Sequence, residues 1–199
     1  MVSVQIQSRG VKDRRVLEAM ERVPRERFVP LREQAEAYAD HPVPIGCGQT
    51  ISQPFIVALM VAELRTRPGS RLLEVGTGCG YVAAVLAEMG CEVYTMDIVA
   101  SLAIEATARL RELGYRNVHT RCGDGWKGWA EAAPFDGIIV SAAPPSVPPA
   151  LLEQLAEGGR LIIPVGEDHQ ELWAYQRTPG GFQGEELCEV RFVPMIAAR

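Results

Sequence analysis

Between a strand-sized apolar run and a run of helical period, LLEVGTGCGYVAAVLA (residues 72–87) places Gly76, Gly78 and Gly80. Glycine in that position lets a backbone turn sharply and approach a ligand closely. Two carboxylates follow at comparable places. Asp97 closes EVYTMD, 17 residues beyond Gly80, and Asp124 stands beside Gly123 in RCGDGW after the next strand-sized run. A carboxylate at a strand end can accept hydrogen bonds from both hydroxyls of a ribose. Glu74, two residues before the first glycine, decides which ligand fits. GCGYVA (residues 78–83) satisfies the G-x-G-x-x-A form of a dinucleotide fingerprint. A carboxylate so close to a pyrophosphate repels it, however, whereas beside a cationic ligand it is favourable. The plain structural alternatives are a strand-to-helix turn for the glycines, a backbone cap for Glu74 and a turn former for Asp124.

A second stretch, GCGQTISQPF (residues 46–55), runs into the apolar PFIVALMVAEL. Gly46 and Gly48 shape a loop that presents Thr50, Ile51 and Ser52. The Ser52 hydroxyl could donate a hydrogen bond to a reacting group, or cap the helix that begins near Pro54. Cys47 between the glycines reads as an inert thiol, and His41, His119 and His169 are scattered without metal-ligand spacing.

The elements that must position these residues are legible from periodicity. Val16, Met20 and Val23 fall on one face of a short helix within residues 11–23, and VPRERFVP and ADHPVPIGCG break into loops. PFIVALMVAEL is apolar nearly all round, as a buried helix is. Beyond RPGS, the strand-sized RLLEV, EVYTM, VHTR, GIIVS and RLIIPV alternate with the helical YVAAVLAEM, SLAIEATARLREL and PPALLEQL, the pattern of parallel β-α-β units. ELWAYQRT, a PGG turn and EVRFVPMI predict a closing antiparallel hairpin.

With 199 residues, 47% of them hydrophobic, the chain suits one domain with a single core. Residues 1–65 are expected to lie over the ligand site as a helical and loop segment, and 66–199 to form the core. A net charge of −5 gives no electrostatic reason to expect nucleic acid, and no apolar run is long enough to span a bilayer. The five cysteines lack paired metal spacing and the opening residues lack a secretory apolar core, which makes reduced, mostly buried thiols and the cytoplasm the expectation.

S-adenosyl-L-methionine is a cationic nucleoside cofactor without phosphate. EVGTGCG, Asp97 and the GDG of residues 123–125 resemble the cofactor motifs of Rossmann-like methyltransferases that use it. With GCGQTISQP, VPRERFVP, AYADHPVPIG and FDGIIVSAAPPSVPPALLEQLAEGGRLIIPVG added, nearly the whole chain is similar to the protein-L-isoaspartate O-methyltransferases. That resemblance implies an α/β Rossmann-like fold with a mostly parallel twisted sheet, helices on both faces and a C-terminal antiparallel hairpin. It implies methylation of the free α-carboxylate of L-isoaspartyl residues in damaged proteins and peptides, with S-adenosyl-L-homocysteine as product. The Gly76 to Gly80 loop would hold the methionine end of the cofactor, Asp97 its ribose, and Gly123 and Asp124 its adenine. Thr50, Ile51 and Ser52 would lie beside the methyl donor, with Ser52 orienting the acceptor and Val193 contacting substrate. Asp97 stands where the family more often has Glu, and Ile98 where Arg is common. Trp126 and Trp129 could wall the adenine pocket or simply fill core.

Three other functions compete. Methyltransferases of nucleic-acid amines often carry Asp or Asn, two prolines and an aromatic after the fourth strand, but SAAPPS has neither the acceptor nor the ring. A nicotinamide oxidoreductase is disfavoured by Glu74 and by the lack of an evident proton donor. A binding module without turnover would show a damaged glycine loop or no TIS segment, and both stretches are intact.

Overall fold

The computed structural model describes residues 1–198. Two antiparallel strands, β1 (Val43–Gly46) and β2 (Gln49–Ile51), form a small hairpin of their own. The main sheet has seven strands in the order β5-β4-β3-β6-β7-β8-β9. They are β3 (Arg71–Val75), β4 (Glu92–Asp97), β5 (Val118–Cys122), β6 (Phe135–Val140), β7 (Leu155–Val165), β8 (Gln170–Thr178) and β9 (Gly181–Val190). Pairing is parallel from β5 through β7 and antiparallel for β7–β8 and β8–β9.

The central strands are apolar on both faces because both are covered. Leu72 packs into one core and Leu73 into the other. The first core takes α1 (Arg14–Arg22), α2 (Pro54–Glu63), α3 (Tyr81–Glu88) and α4 (Ala100–Glu112), while α5 (Pro149–Glu153) and the loop aromatics Trp126 and Trp129 cover the second. Continuous strands such as Leu161, Ile162 and Ile163, all buried, are what burial on two faces demands. The N-terminal helix has the expected face: Val16, Met20 and Val23 are buried, and Asp13 caps the start by accepting from the Arg15 amide at 2.9 Å.

Several expectations need correction. The GCG segment is the turn of a strand hairpin rather than part of a loop without strands: Gly46 pairs with Gln49, leaving Cys47 and Gly48 as the two turn residues at φ 52° and 70°. Positive φ at both central positions matches the strand twist of a two-residue hairpin. Cys47 is therefore exposed, as is Cys122, so the thiols are less uniformly buried than composition suggests. The second strand of the closing hairpin starts at Gly181 and ends at Val190; RFVPM lies outside it and is held in extended form by a lone parallel bridge from Pro194 to Ala143. The helix expected over PPALLEQL ends at Glu153, because the chain enters β7 at Leu155.

Gly80 shows how tightly the first core is fitted. It precedes α3 at φ 90°, and a Cβ there would stand 3.2 Å from Leu110 Cδ1 and 3.3 Å from Ala106 Cβ on α4. Left-handed strain and overpacking together make Gly80→Ala an expected loss of about 2–4 kcal/mol. Urea denaturation measures it, and an unchanged midpoint would show that the contact between α3 and α4 yields freely.

Candidate active site

Parallel strands deliver their C-terminal ends to one edge, and four of them open a cavity of about 710 Å³ there. Gly76 follows β3, Asp97 ends β4, Gly123 follows β5 and Ser141 follows β6. The loops are locked to neighbouring strands: the Gly76 amide donates to the Met96 carbonyl at 2.8 Å, Gly123 to Asp97 at 3.0 Å and Ser141 to Val75 at 2.8 Å. The far wall comes from β2 and the residues after it, with Thr50, Ser52 and Gln53, and the roof from the extended segment around Phe192 and Val193.

Asp97 is the best-held polar group at the wall. One carboxylate oxygen accepts from the Gly78 amide at 2.8 Å and the other from the Val99 amide at 2.9 Å. The side chain thus fixes the glycine loop while each oxygen keeps a further lone pair for a ligand. Gly76 and Gly78 make that loop possible, with φ of 94° and 51°.

Of the residues singled out in the sequence, Gly48, Thr50, Ser52, Gly76, Gly78, Asp97, Ile98, Gly123 and Val193 line the cavity. Ile51 does not; it is buried in the first core. Gly80 serves the packing of α3. Asp124 lies beside the cavity rather than on its wall, and its Oδ1 accepts from the Trp126 amide at 3.0 Å as the cap of a short 3-10 turn, while Gly123 and Gly125 of the same segment line the cavity. Trp126 and Trp129 pack against the second core and stay off the wall.

Glu74 is placed differently from either sequence expectation, for it neither reaches the cavity nor caps a backbone amide. It is buried beneath the loop, accepting from Thr95 Oγ1 at 2.5 Å, and Thr95 and Thr77 share a hydroxyl contact of 2.6 Å. Burial pushes its carboxyl up to about 8, the charge of Asp97 adds to the shift, and the Thr95 hydroxyl opposes it.

Ser52 answers the question of the cap. Its neighbour Gln53 occupies the N-cap position of α2, no side chain caps that helix, and Ser52 Oγ has no hydrogen bond to protein among the described residues. The Ser52 carbonyl instead accepts from Nη2 of the buried Arg25 at 2.7 Å. Arg25 was not a sequence candidate: VPRERFVP offers three charged side chains in a row between prolines, and nothing in their order distinguishes the buried one. Ser141, Met96 and Arg191 also line the cavity without having been singled out.

A family model described as Protein-L-isoaspartate(D-aspartate) O-methyltransferase (PCMT) matches residues 1–199. The chain belongs to that family. It is 54% identical over 197 residues to the protein-L-isoaspartate O-methyltransferase of Gloeobacter violaceus, covering 98% of this chain and 96% of the relative. It is 54% identical over 198 residues to that of Methylorubrum populi, covering 98% and 93%. Among solved structures, a Plasmodium falciparum protein assigned to the same activity, in complex with S-adenosyl-L-homocysteine, superposes with a TM-score of 0.83 at 28% identity, covering 96% of this chain and 94% of that one. The Rossmann-like methyltransferase fold expected from the sequence, with its antiparallel strands at one end, is the observed one.

The buried carboxyl of Glu74 gives a measurable signature. Its folded pKa of about 8 lies above the ordinary 4.5, so across that window the folded chain keeps a proton that the unfolded chain has released. The stability it contributes is complete below about pH 4.5 and is lost as pH rises to about 8. Glu74→Gln is expected to flatten the decline in unfolding free energy across this range in ligand-free protein, measured by urea titrations at several pH values. A slope identical to wild type would show that Glu74 ionises normally.

Proposed function

We propose that the chain transfers the methyl group of S-adenosyl-L-methionine to the free α-carboxylate of L-isoaspartyl residues in damaged proteins and peptides. The observation that carries this reading is the meeting, in one cavity, of the Asp97-braced glycine loop and a Ser52 hydroxyl with no partner among the described residues. The residues present fit the cofactor. Arg191 is the lone basic side chain lining the cavity among the described residues, against Asp97 and Glu189, so the wall suits a nucleoside cation and offers no cluster for a pyrophosphate. Gly76 and Gly78 would hold its methionine end and Asp97 its ribose, with Gly123 at the base; Glu74 acts from beneath the loop, and Asp124 by shaping the turn.

When bound, the cofactor supplies an electrophilic methyl group on a sulfonium. The acceptor carboxylate has a reference pKa of about 4 and is ionised at neutral pH, so the chain need not supply a general base. Its task is alignment, which in well-oriented systems is worth roughly 7–11 kcal/mol of barrier. Ser52 donates a hydrogen bond to the acceptor, Thr50 and Ile51 set the strand that presents it, and the apolar Ile56, Val75, Met96 and Val193 limit water. Closure of the methyl ester to a succinimide, and hydrolysis of that ring toward a normal aspartyl linkage, are reactions of the product and need no group from the chain.

The acceptor is a peptide rather than a nucleobase. Ala143 stands where the amine-accepting Asp or Asn of a nucleobase site would be and Ser146 where its ring would be, and both backbone groups of Ala143 are committed, the amide to the Val193 carbonyl at 2.8 Å and the carbonyl to the Met195 amide at 2.8 Å. These bonds seat the 193–195 segment over the cavity, where it would contact the substrate backbone. We take the chain as one methyltransferase domain, with residues 1–65 as a helical and loop segment over the cofactor site and 66–199 as its Rossmann-like core. No helix among the described residues is long and apolar enough to cross a membrane, and five free cysteines suit the reducing cytoplasm.

Labelled methyl transfer to two synthetic peptides that differ only in an isoaspartyl or aspartyl linkage tests the reading. The isoaspartyl peptide alone should be labelled; labelling of neither, with S-adenosyl-L-homocysteine still bound, would refute the repair assignment and leave the fold reading intact. Ser52→Ala should lower kcat/KM for the peptide about 10- to 100-fold, the worth of a hydrogen bond to a charged group. Near-wild-type turnover would remove the serine from the reaction.

A further inference from the structure

Arg25 is wholly buried in a short 3-10 turn (Arg25–Phe28), yet it has no carboxylate within ion-pair distance among the described residues. Its Nε donates to the Ala37 carbonyl at 2.7 Å and its Nη2 to the Ser52 carbonyl at 2.7 Å. Its Cζ stands 4.7 Å from the centroid of the Tyr81 ring, while Nη1 and the Tyr81 hydroxyl are both buried without a hydrogen-bond partner among the described residues. A buried cation is ordinarily paired with an acid, because its desolvation is otherwise uncompensated. The groups around it supply no anion. Burial holds the Cys79 thiol at about 11 and the Tyr38 hydroxyl at about 12, and it raises Tyr81 as well. Nearby acids are engaged elsewhere: Glu26 with the Tyr38 hydroxyl, and Asp40 with Arg9 at 3.2 Å and Gln53 at 2.9 Å.

We propose that Arg25 is the positioning residue of the acceptor site, fixing the Ser52 segment through its carbonyl and setting behind it an unneutralised positive charge that selects a carboxylate as the acceptor. This rests on the role of Ser52 given above. The planar guanidinium spans two carbonyls from separate segments, so the Ala37 turn and the acceptor loop move as one body. Lysine would keep the charge and reach one carbonyl. The charge itself lies one residue behind the cavity wall, where water cannot screen it.

Wild type, Arg25→Gln and Arg25→Lys are compared in three measurements: binding of S-adenosyl-L-homocysteine by calorimetry, methyl transfer to an isoaspartyl peptide, and competition by that peptide's neutral α-carboxamide counterpart. Arg25→Gln should raise the peptide KM at least about tenfold, lower kcat less, and narrow the preference for carboxylate over carboxamide, with cofactor-product affinity held within about twofold. Arg25→Lys should keep that preference with an intermediate KM. Wild-type KM and preference in Arg25→Gln overturn the proposal, and so does a loss of cofactor-product affinity that parallels the loss of peptide, which marks a merely structural role. Should Arg25→Gln not fold, Arg25→Lys decides: raised KM with the preference intact supports the proposal, and wild-type KM overturns it. If wild type labels no isoaspartyl peptide, the reaction assignment falls and this inference with it; if wild type labels it and both variants match wild type, this inference alone falls.

Discussion

The bond from the Gly78 amide to the Asp97 carboxylate is the contact on which the site depends. Parallel pairing brings the ends of β3 and β4 side by side, but it leaves two loops with free backbone groups at the sheet edge. Asp97 satisfies one amide from each, Gly78 beyond β3 and Val99 beyond β4, and so converts two flexible connections into one rigid rim. A shorter acid than the family more often carries still does this. Its reach need only span adjacent strand ends, and the glycines bring the backbone to it.

The rim closes a cavity only because two other segments come to it from outside the β-α-β pattern. The β1–β2 hairpin carries Thr50 and Ser52 inward by turning on Cys47 and Gly48, and the 193–195 segment is held above by its paired bonds to Ala143. Gln170 steadies that second segment, accepting from the Phe192 amide at 2.6 Å and donating to its carbonyl at 3.1 Å. Neither segment has a large core of its own. Each depends on backbone bonds at a few points, which suits surfaces that must admit a peptide.

How much of this could be read from the chain follows from the range of the forces involved. Runs such as RLLEV and GIIVS announce buried parallel strands because both faces must be apolar, and the glycines announce the loop between Val75 and Tyr81 because only they accept its dihedrals without strain. Gly78, Asp97 and Ser52 were legible for the same local reason. Glu74 was legible as unusual, but not in its environment: whether it faced a ligand or Thr95 depends on how the strand is rotated against its neighbour, and that is a tertiary fact. Arg25 was invisible. Its partners are 12 and 27 residues away, and an arginine beside Glu26 and Arg27 reads as solvated surface until the fold buries it. The hairpin escaped because its strands are short and contain Pro44, so turn chemistry outweighs strand pattern there.

The buried charges are disposed as the reactants are. At the glycine loop lies the carboxylate of Asp97, with the Glu74 carboxyl kept protonated by burial beneath it, and behind the Ser52 segment lies the guanidinium of Arg25. A cation on one side and an anion on the other would each find the favourable sign. Yet methyl transfer from a sulfonium to a carboxylate consumes both charges, so contacts that stabilise the separated ions most strongly would favour the bound state over the transition state. An arginine in direct contact with the acceptor would carry that cost in full. Placed one residue back, as we propose, Arg25 would leave the direct contact to a neutral hydroxyl on Ser52 and retain the longer-range attraction that brings a carboxylate in. On that proposal the charge would act on recognition, and the serine on alignment.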